Sequence, residues 1–401
     1  MVEMVQNFLI SAASFVLVLS VVVFVHEFGH FRVGRWCGIA VKSFSIGLGS
    51  EWFGWTDRHG TRWKVSRIPL GGFVSWIDDS DGSSTLPASD EHRALSQEQA
   101  RKLGHFRAQP LWKRAVTVAA GPVTNFIFAI AAFAAIALIV GRDVTDYGAL
   151  TPRVGSVQAN SAASEAGLQS GDVVRTLNGS PLVTWSQFQA AISSRPETAI
   201  TLGVERNGSN ETILVTPRLT ERRSADGVTA RVGVLGVTLG VVESERTIER
   251  VEPIEALAVG ARNTWLIVSS TASYVAGIFS GQSSGREISG PIGIFAQSGQ
   301  IATTALDASG GDWGSMAGKL FQALALWAAV LSVAVGIVNL LPIPILDGGH
   351  LLFYGIEALR GGRPLPEAAQ EWAYRAGFAV MASLFLFATW NDITRLFPGA
   401  H

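Results

Sequence analysis

The residues His26-Glu27-Phe28-Gly29-His30 form an H-E-x-x-H motif. Residues i and i+4 of a helix lie on one face, so the imidazoles of His26 and His30 can bind one zinc ion. Glu27 is then beside the water that zinc activates and can take its proton as a general base. The motif predicts a zinc hydrolase. The alternative is a polar headgroup end of an apolar helix, because five-residue matches also occur by chance.

The motif directly follows an uncharged stretch of 18 residues, Phe8–Val25. As a helix this stretch is about 27 Å long, close to the ~30 Å hydrocarbon core of a bilayer. Two histidines and a carboxylate near the membrane are costly without partners, which favours a functional role. Since no Lys or Arg precedes Arg32 and no small-residue cleavage site follows, we interpret the stretch as a retained transmembrane helix rather than a signal peptide.

A catalytic zinc needs a third protein ligand, and no His or Cys near the motif has suitable spacing. Asp347 stands at the end of another apolar stretch, just after Pro342 and Pro344. Prolines break a helix, and non-helical backbone at membrane depth is tolerated only against protein or a wet cavity. We therefore predict a pocket that contains Asp347. An ordinary proline-stopped helix end is the alternative, but it leaves Asn339, inside the apolar run, unexplained.

The composition supports a membrane setting. Of the 401 residues, 48% are hydrophobic and 16% are charged, against about 25% charged in soluble globular proteins. This argues against an ordinary cytosolic enzyme and a disordered chain, and the net charge of -1 argues against a nucleic-acid partner. The single cysteine, Cys37, excludes an intramolecular disulfide framework and a cysteine-rich zinc site. The lipid bilayer is the partner that the composition indicates.

The apolar residues lie in blocks that predict four transmembrane helices. Their expected bounds are about 8–30, 113–140, 318–346 and 373–397. A fifth uncharged stretch, Thr264–Gly285, is diluted by serines and threonines. We expect this fifth stretch to lie on the outer leaflet, or to dip into it, without crossing.

The distribution of basic residues predicts the orientation. Residues 31–114 hold 13 Lys and Arg in 84 positions, whereas residues 142–319 hold 14 in 178. The positive-inside rule therefore makes 31–114 cytoplasmic and 142–319 extracytoplasmic. On this topology the first and third spans both run inward and bring the motif and Asp347 to the same, cytoplasmic, side. That pairing requires Thr264–Gly285 not to cross the membrane.

Taken together, the motifs resemble the site-2 protease family of intramembrane zinc metalloproteases, in particular its bacterial regulator-of-sigma-E protease branch. The resemblance covers nearly the whole chain. It rests on His26-Glu27-Phe28-Gly29-His30, Gly121-Pro122-Val123-Thr124-Asn125, Asn339 with Pro342-Ile343-Pro344 and Asp347-Gly348, Phe44-Ser45-Ile46-Gly47-Leu48-Gly49, Pro69-Leu70-Gly71-Gly72-Phe73, and Ser289-Gly290-Pro291-Ile292-Gly293.

The resemblance implies a role for each matching residue. His26, His30 and Asp347 would bind Zn²⁺, and Glu27 would be the catalytic base and acid. The residues implied in substrate binding are Asn339, Pro342, Pro344, Gly47, Gly49, Gly71 and Gly72. The strand-like pieces are 41–48, 62–68 and 72–77, and those around 63–76 would pair with a substrate unwound from its helix, since a helical peptide bond is shielded by its own hydrogen bonds. No organic cofactor is implied.

Residues 148–218 resemble a PDZ domain, through Ala166-Gly167-Leu168, Gly171-Asp172 and the Asn178-Gly179 hairpin turn. Such a module takes an extended peptide C-terminus by strand addition, or acts as a size filter over the site. Well-known members of the branch carry two PDZ domains, whereas this sequence shows one. Residues 231–240 are interpreted as the strand after it.

The predicted fold is a polytopic α-helical membrane protein with four transmembrane helices, a membrane-associated β-hairpin or sheet at 41–77, and an inserted α/β PDZ domain. The predicted domains are 1–147 (N-terminal membrane part), 148–218 (PDZ), 219–315 (post-PDZ strand and interfacial helix) and 316–401 (C-terminal membrane part).

The predicted function is regulated intramembrane proteolysis, by a zinc endopeptidase of the bacterial inner membrane whose PDZ domain is extracytoplasmic. The expected substrates are single-span proteins of the anti-sigma factor type, or remnant signal peptides. The alternative is a non-catalytic, PDZ-bearing membrane scaffold or chaperone, which would have no need of Glu27.

Overall fold

A computed structural model describes residues 2–78, 95–223, 229–282, 285, 288–308 and 313–396. The chain forms two compact units, one of Met1–Ile139 with Glu252–His401 and one of Val140–Val251. The α-helices are α1 Val2–Trp36, α2 Gln97–Lys102, α3 Leu111–Val140, α4 Ala162–Glu165, α5 Trp185–Ser193, α6 Pro253–Phe279, α7 Pro291–Asp307, α8 Trp313–Leu340, α9 Asp347–Leu359 and α10 Glu367–Leu396. The strands are β1 Val41–Thr56, β2 Arg62–Trp76, β3 Arg142–Asp143, β4 Val154–Val157, β5 Val173–Leu177, β6 Ser180–Pro181, β7 Ile200–Arg206, β8 Ser209–Val215, β9 Arg218–Arg223, β10 Thr229–Val234, β11 Val237–Leu239 and β12 Ile248–Glu249.

Four helices of the described chain are long and apolar enough to cross a membrane: α1, α3, α8 and α10. This confirms the predicted fold class, a polytopic helical membrane protein. Helix α6, which contains most of the stretch Thr264–Gly285, is not among the four candidate spans of the described residues.

Helix α8 ends at Leu340, six residues before the end of the apolar block in the sequence. Pro342 and Pro344 follow, and their rings and missing N–H groups are incompatible with further α-helix. Residues 341–346 instead make short-range turn bonds, such as Ile343 N–H to the Leu341 carbonyl at 2.7 Å. Asp347 is therefore the first residue of a new helix, α9, rather than part of the third span.

Strands β1 and β2 form one antiparallel pair with bends inside each strand. Phe44 is paired with both Val74 and Trp63, so the first part of β1 lies between two parts of β2. The bend of β1 includes Gly47, whose φ of +85° is unfavourable for other residues and whose missing Cβ would lie 2.5 Å from the Ile68 carbonyl oxygen. In the described chain, residues 72–76 pair with β1 and form one edge of this sheet.

Helices α1 and α3 pack closely beside the H-E-x-x-H motif. A Cβ on Gly29 would lie 2.5 Å from both the Ala120 carbonyl oxygen and Thr124 Oγ1. Only glycine allows this approach of two helix backbones, a device common in membrane helix pairs. Position 29, one of the two unspecified residues of H-E-x-x-H, is thus fixed by packing.

The glycine-rich motif at 289–293 begins helix α7 and is held by α10. Asp392 is 2% exposed, and its carboxylate accepts hydrogen bonds from the backbone N–H groups of Gly290 (3.0 Å) and Gly293 (2.8 Å). A helix N-terminus has unpaired N–H groups and a partial positive charge, so a carboxylate from a neighbouring helix stabilises it. A Cβ on Gly293 would approach Asp392 Oδ1 to 2.6 Å, which explains the small residue there.

The second unit has a four-stranded sheet of order β6-β5-β7-β8, with the further pairs β4 with β11 and β9 with β10. Its core contains Phe188, Ile200 and Leu202, which are each at most 1% exposed. Because β11 pairs with β4 near the start of the unit, residues beyond 218 belong to the same compact body. The segment 231–240, interpreted as a strand after the PDZ region, contributes to β10 and β11.

Candidate metal centre

Three side chains from distant parts of the sequence meet at one point. His26 Nε2 lies 3.1 Å and His30 Nε2 lies 3.4 Å from Asp347 Oδ2, and the two Nε2 atoms are 3.2 Å apart. The candidate ligand atoms all lie within 4.8 Å of one another. The structure therefore brings the two histidines on α1 together with the first residue of α9.

The chemistry of these atoms fits a metal ion. Asp347 Oδ2 is buried and has no hydrogen-bond partner, although it faces two imidazole nitrogens. A buried carboxylate oxygen without a donor is unfavourable unless a cation balances it. Two imidazoles and one carboxylate are three ligands of the kind that catalytic zinc sites use, with a fourth position left for water or substrate.

Helix α3 orients both imidazoles from behind. His30 Nδ1 is 2.9 Å from the Thr117 carbonyl oxygen, and His26 Nδ1 is 3.1 Å from the Asn125 side-chain amide nitrogen. Contacts on the second ring nitrogen fix the tautomer and ring orientation of metal-binding histidines. Helix α3 therefore aims both Nε2 atoms at Asp347.

The same face of α3 carries Gly121 directly against the rings. A Cβ at this position would lie 2.3 Å from His30 Nε2 and 2.9 Å from His26 Cε1. Any larger residue would displace the imidazoles from their present positions. Gly121 is thus part of the cradle of the centre, although its own atoms offer no ligand.

Glu27, next to the first histidine, faces the edge of the β1–β2 sheet. A Cβ on Gly72 would lie 3.2 Å from Glu27 Cγ and 2.8 Å from the Ser45 carbonyl oxygen. The absent side chain at 72 keeps room for the Glu27 carboxylate between α1 and the sheet. Of the four predicted glycines, Gly72 is therefore the one whose contacts reach the motif.

The other predicted substrate-binding residues lie in the β1–β2 sheet, at the end of α8 and in the segment after it. Gly47, Gly49 and Gly71 occupy bends of the β1–β2 sheet with φ of +85°, +88° and +75°. Asn339 is the next-to-last residue of α8 and donates its amide to the Val335 carbonyl of its own helix, at 3.1 Å.

The predicted prolines lie in the non-helical segment that leads to Asp347. Pro342 is exposed, whereas Pro344 packs against Gly377 of α10, where an added Cβ would be 3.0 Å from Pro344 Cδ. The first turn of α9 also packs on the end of α8, since a Cβ on Gly348 would approach the Leu340 carbonyl oxygen to 2.3 Å. Asp347 is thus reached by a short backbone path with little free space.

Three groups that contact the imidazoles are absent from the predicted site residues: Thr117, Gly121 and Asn125. Thr117 acts through its backbone carbonyl, so its side chain gives no signal in the sequence. Gly121 and Asn125 belong to a motif that carries the family resemblance, but the resemblance implies no site role for them. The available signal was their helical spacing, since Thr117, Gly121 and Asn125 follow at i, i+4 and i+8 and share one face of α3.

The chain is similar to known peptidases over almost its full length. The profile of peptidase family M50 matches residues 14–384. A protein of Rhizobium meliloti named as a zinc metalloprotease is 42% identical over 393 residues, covering 98% of both chains. The metalloprotease MmpA of Caulobacter vibrioides is 35% identical over 395 residues, covering 97% of this chain and 96% of its own.

A longer relative is the regulator of sigma-E protease RseP of Salmonella typhimurium, 30% identical over 474 aligned positions that cover 96% of this chain and 98% of its own. That alignment exceeds the 401 residues of this chain, so RseP contains residues with no counterpart here. Among solved structures, the PDZ domain of the SdrC-like protein of Listeria monocytogenes is 23% identical, covers 24% of this chain and 90% of its own, and gives a TM-score of 0.18.

Proposed function

Since the chain belongs to peptidase family M50 and is a zinc metalloprotease of the inner membrane, we propose that it cleaves single-span membrane proteins at a centre formed by His26, His30, Asp347 and Glu27. Family membership also favours the enzyme over the non-catalytic scaffold. One observation carries the proposal: the three candidate ligands converge where an apolar helix, α1, meets the short path from a second apolar helix, α8.

The location of these ligands argues for a substrate in the membrane. Helix α1 is 35 residues long, so His26 and His30 lie within a continuous helix that begins as a candidate span. Asp347 follows α8 by only seven residues. A peptide bond must enter the bilayer region to reach a centre built from these two helices, which a transmembrane segment does and a folded soluble protein does not.

Each proposed site residue has a chemical task. Zinc, when bound, lowers the pKa of a water molecule and polarises the scissile carbonyl. Glu27 accepts the proton of the attacking water and returns it to the nitrogen of the leaving peptide. Thr117 and Asn125 hold the imidazoles in place, so that His26 and His30 do not reorient during the reaction.

The sheet edge beside Glu27 provides a place for the substrate backbone. A helical peptide bond is shielded by its own hydrogen bonds and must be extended before attack, and each unpaired amide in the membrane costs several kcal/mol. Pairing with residues 72–76 would replace the lost bonds by strand addition. Gly72 supports this role because it brings the edge into contact with Glu27.

The side of the substrate path opposite the sheet edge is proposed to be lined by Asn339, Pro342 and Pro344. The Asn339 amide is satisfied within its helix by the Val335 carbonyl. Its Nδ2 carries a second N–H, which can donate to the substrate backbone or to the developing oxyanion. This is possible near the C-terminus of α8, where the helix already ends.

Charge distribution supports an orientation with the centre toward the cytoplasm and the α/β unit outside. Basic residues are about twice as dense in 31–114 as in 142–319. The natural substrates would then be proteins already shortened on the extracytoplasmic side, such as anti-sigma factors or remnant signal peptides. The α/β unit would bind their new chain ends or exclude larger ectodomains.

The test compares wild-type protein with Glu27→Gln in lipid vesicles that contain a single-span substrate. Wild type should cleave within the span, and Glu27→Gln should bind an equal amount of zinc without cleaving. Cleavage by Glu27→Gln would contradict the mechanism, and preferential cleavage of an unfolded soluble protein would contradict the substrate class. In cells, single-span fragments should accumulate with Glu27→Gln and identify the natural substrates.

A further inference from the structure

Helix α9 carries Asp347 at its first position and a buried ion pair at its other end. Glu357 receives two hydrogen bonds from Arg114 of α3: Nη2 to Oε1 at 2.6 Å and Nη1 to Oε2 at 3.3 Å. The side chains of Arg114 and Glu357 are 16% and 10% exposed. Arg114 Nε donates to the Gln109 carbonyl at 3.2 Å, so the guanidinium is held at all three nitrogens.

The ion pair and the metal ligand lie on the same face of α9. Asp347, Tyr354 and Glu357 follow at i, i+7 and i+10, which places them along one stripe about 15 Å long. Tyr354, between the two ends of this stripe, packs against the apolar core formed by α1 and the β1–β2 sheet. The centre of its ring is 5.0 Å from the Arg114 guanidinium carbon. The stripe is therefore the face by which α9 is attached.

Helix α3 presents the matching stripe. Arg114, Thr117, Gly121 and Asn125 recur at helical spacing, and the last three contact the imidazoles. One face of α3 thus touches both metal-binding histidines and grips the helix that carries the third ligand. This grip holds the C-terminal end of α9, while Gly348 and Gly349 in its first turn pack on the backbone that follows α8.

The Arg114–Glu357 pair contributes more to the placement of α9 than to the stability of the fold. A buried ion pair gains little over apolar residues of similar volume, because both charges lose their hydration. A bidentate Arg–carboxylate pair does, however, fix distance and angle more tightly than apolar contacts. Because α9 is a continuous helix, fixing Glu357 also restricts the position of Asp347 at its first residue.

We propose that Arg114 and Glu357 are positioning residues that set the place of Asp347 relative to His26 and His30, and thereby the affinity for zinc. The inference rests on the proposed ligand set. It adds a dependence that the ligands themselves do not show: a pair that touches neither metal nor substrate controls metal retention from the far end of α9.

The experiment measures zinc affinity of the purified full-length protein in detergent, by competition with a chelator. Glu357→Gln keeps the size of the side chain but removes its charge, and the double variant R114M/E357M leaves no unpaired buried charge. Both should raise the Kd for zinc by up to about 10-fold, the lower end of the effect of removing a group bonded directly to a metal ligand. With zinc in excess, kcat should fall in both variants and KM should stay near wild type, because the pair does not face the substrate.

Two controls separate the possible outcomes. Glu205→Gln breaks the exposed pair Arg175–Glu205 of the α/β unit and should leave zinc affinity unchanged. A folded Glu357→Gln or R114M/E357M protein with wild-type zinc affinity and kcat would overturn the inference, even if its melting temperature fell. If instead His26→Ala leaves zinc binding intact, the proposed ligand set fails, and that result is distinct from a failure of the positioning pair.

Discussion

The side-chain amide of Asn125 lies 3.1 Å from His26 Nδ1, and the Oδ1 of the same amide is buried without a partner. The nitrogen and oxygen of an amide are nearly alike in size, so turning the amide by 180° exchanges donor and acceptor without changing the packing. With Oδ1 facing the ring, Asn125 accepts a hydrogen bond from Nδ1–H, and this tautomer leaves Nε2 free for a metal. This arrangement gives the Asn125 oxygen a partner and His26 its metal-binding tautomer, while the amide nitrogen takes the place of the oxygen.

The first prediction concerns this contact. Asn125→Asp retains an acceptor for Nδ1–H and should keep zinc affinity within a few-fold of wild type. Asn125→Leu has similar size but no acceptor, and it should weaken zinc binding by about 10- to 100-fold. Chelator competition measures both, and equal affinities of the two variants would show that Asn125 does not orient the ring.

The second prediction concerns the glycine behind the imidazoles. Gly121→Ala adds a methyl group 2.3 Å from the present position of His30 Nε2, so the ring must move. Zinc binding and cleavage should both be lost, although alanine favours the helix by about 1 kcal/mol over glycine. The matched control is Gly318→Ala in α8, where an added Cβ meets nothing within 4 Å and activity should be unchanged. Zinc content and cleavage rate are the measurements.

The third prediction concerns the contact between α10 and α7. The two carboxylate oxygens of Asp392 accept from the N–H groups of Gly290 and Gly293. In Asp392→Asn one oxygen becomes an NH2 group, which cannot accept, so one backbone N–H loses its partner. The start of α7 should be destabilised by about 1–3 kcal/mol. Hydrogen exchange of residues 291–307 should accelerate, while that of α3 should not. Glu371→Gln, which removes an exposed pair with Arg375 on the same helix, is the control and should leave α7 protected.

The fourth prediction concerns pH and the α/β unit. Burial alone would raise the pKa of Asp172, but hydrogen bonds from Arg206 and from the Gln169 N–H outweigh it and hold that pKa below its usual value. Asp has a pKa of about 3.9 in an unfolded chain. Asp172 therefore stabilises the folded unit at all pH values above that, and the contribution disappears as pH falls through the lower, folded pKa.

Asp172→Asn tests this dependence. The Asp172 carboxylate is 1% exposed and Arg206 keeps its pair with Glu211, so losing the charge of Asp172 should cost about 1–3 kcal/mol at pH 7. Hydrogen exchange of β5 and β7 in the full-length protein, corrected for the intrinsic rate, should show this cost. The difference between wild type and variant should shrink below about pH 4. A difference that is constant from pH 7 to pH 3 would mean that the charge of Asp172 contributes nothing.

Much of the architecture follows from patterns that act locally. Uncharged stretches of sufficient length predict the four membrane helices because the bilayer penalises charge at every position. The i, i+4 spacing of His26 and His30 likewise fixes their relation on any helix. The sequence pairs Asp347 with the two histidines because its apolar stretch ends on the same expected side of the membrane.

What could not be predicted depends on contacts between distant residues or on the backbone. The third apolar block continues to Leu346, and its composition alone does not show that the helix stops at Leu340 ahead of the prolines. The Thr117 carbonyl carries no side-chain signal. Arg114 and Glu357 are 243 positions apart in sequence, and each taken alone is an ordinary charge near a helix end. Only the fold makes them one pair.

The proposed centre has its parts at opposite ends of the chain, with the α/β unit of Val140–Val251 between them. The ribosome makes His26 and His30 early, but Asp347 and the Glu357 that holds its helix come some 320 residues later. A nascent or truncated chain that lacks α9 therefore cannot assemble the centre, even with its H-E-x-x-H helix in the membrane. Protease activity would begin only after the chain has been made at least through Glu357.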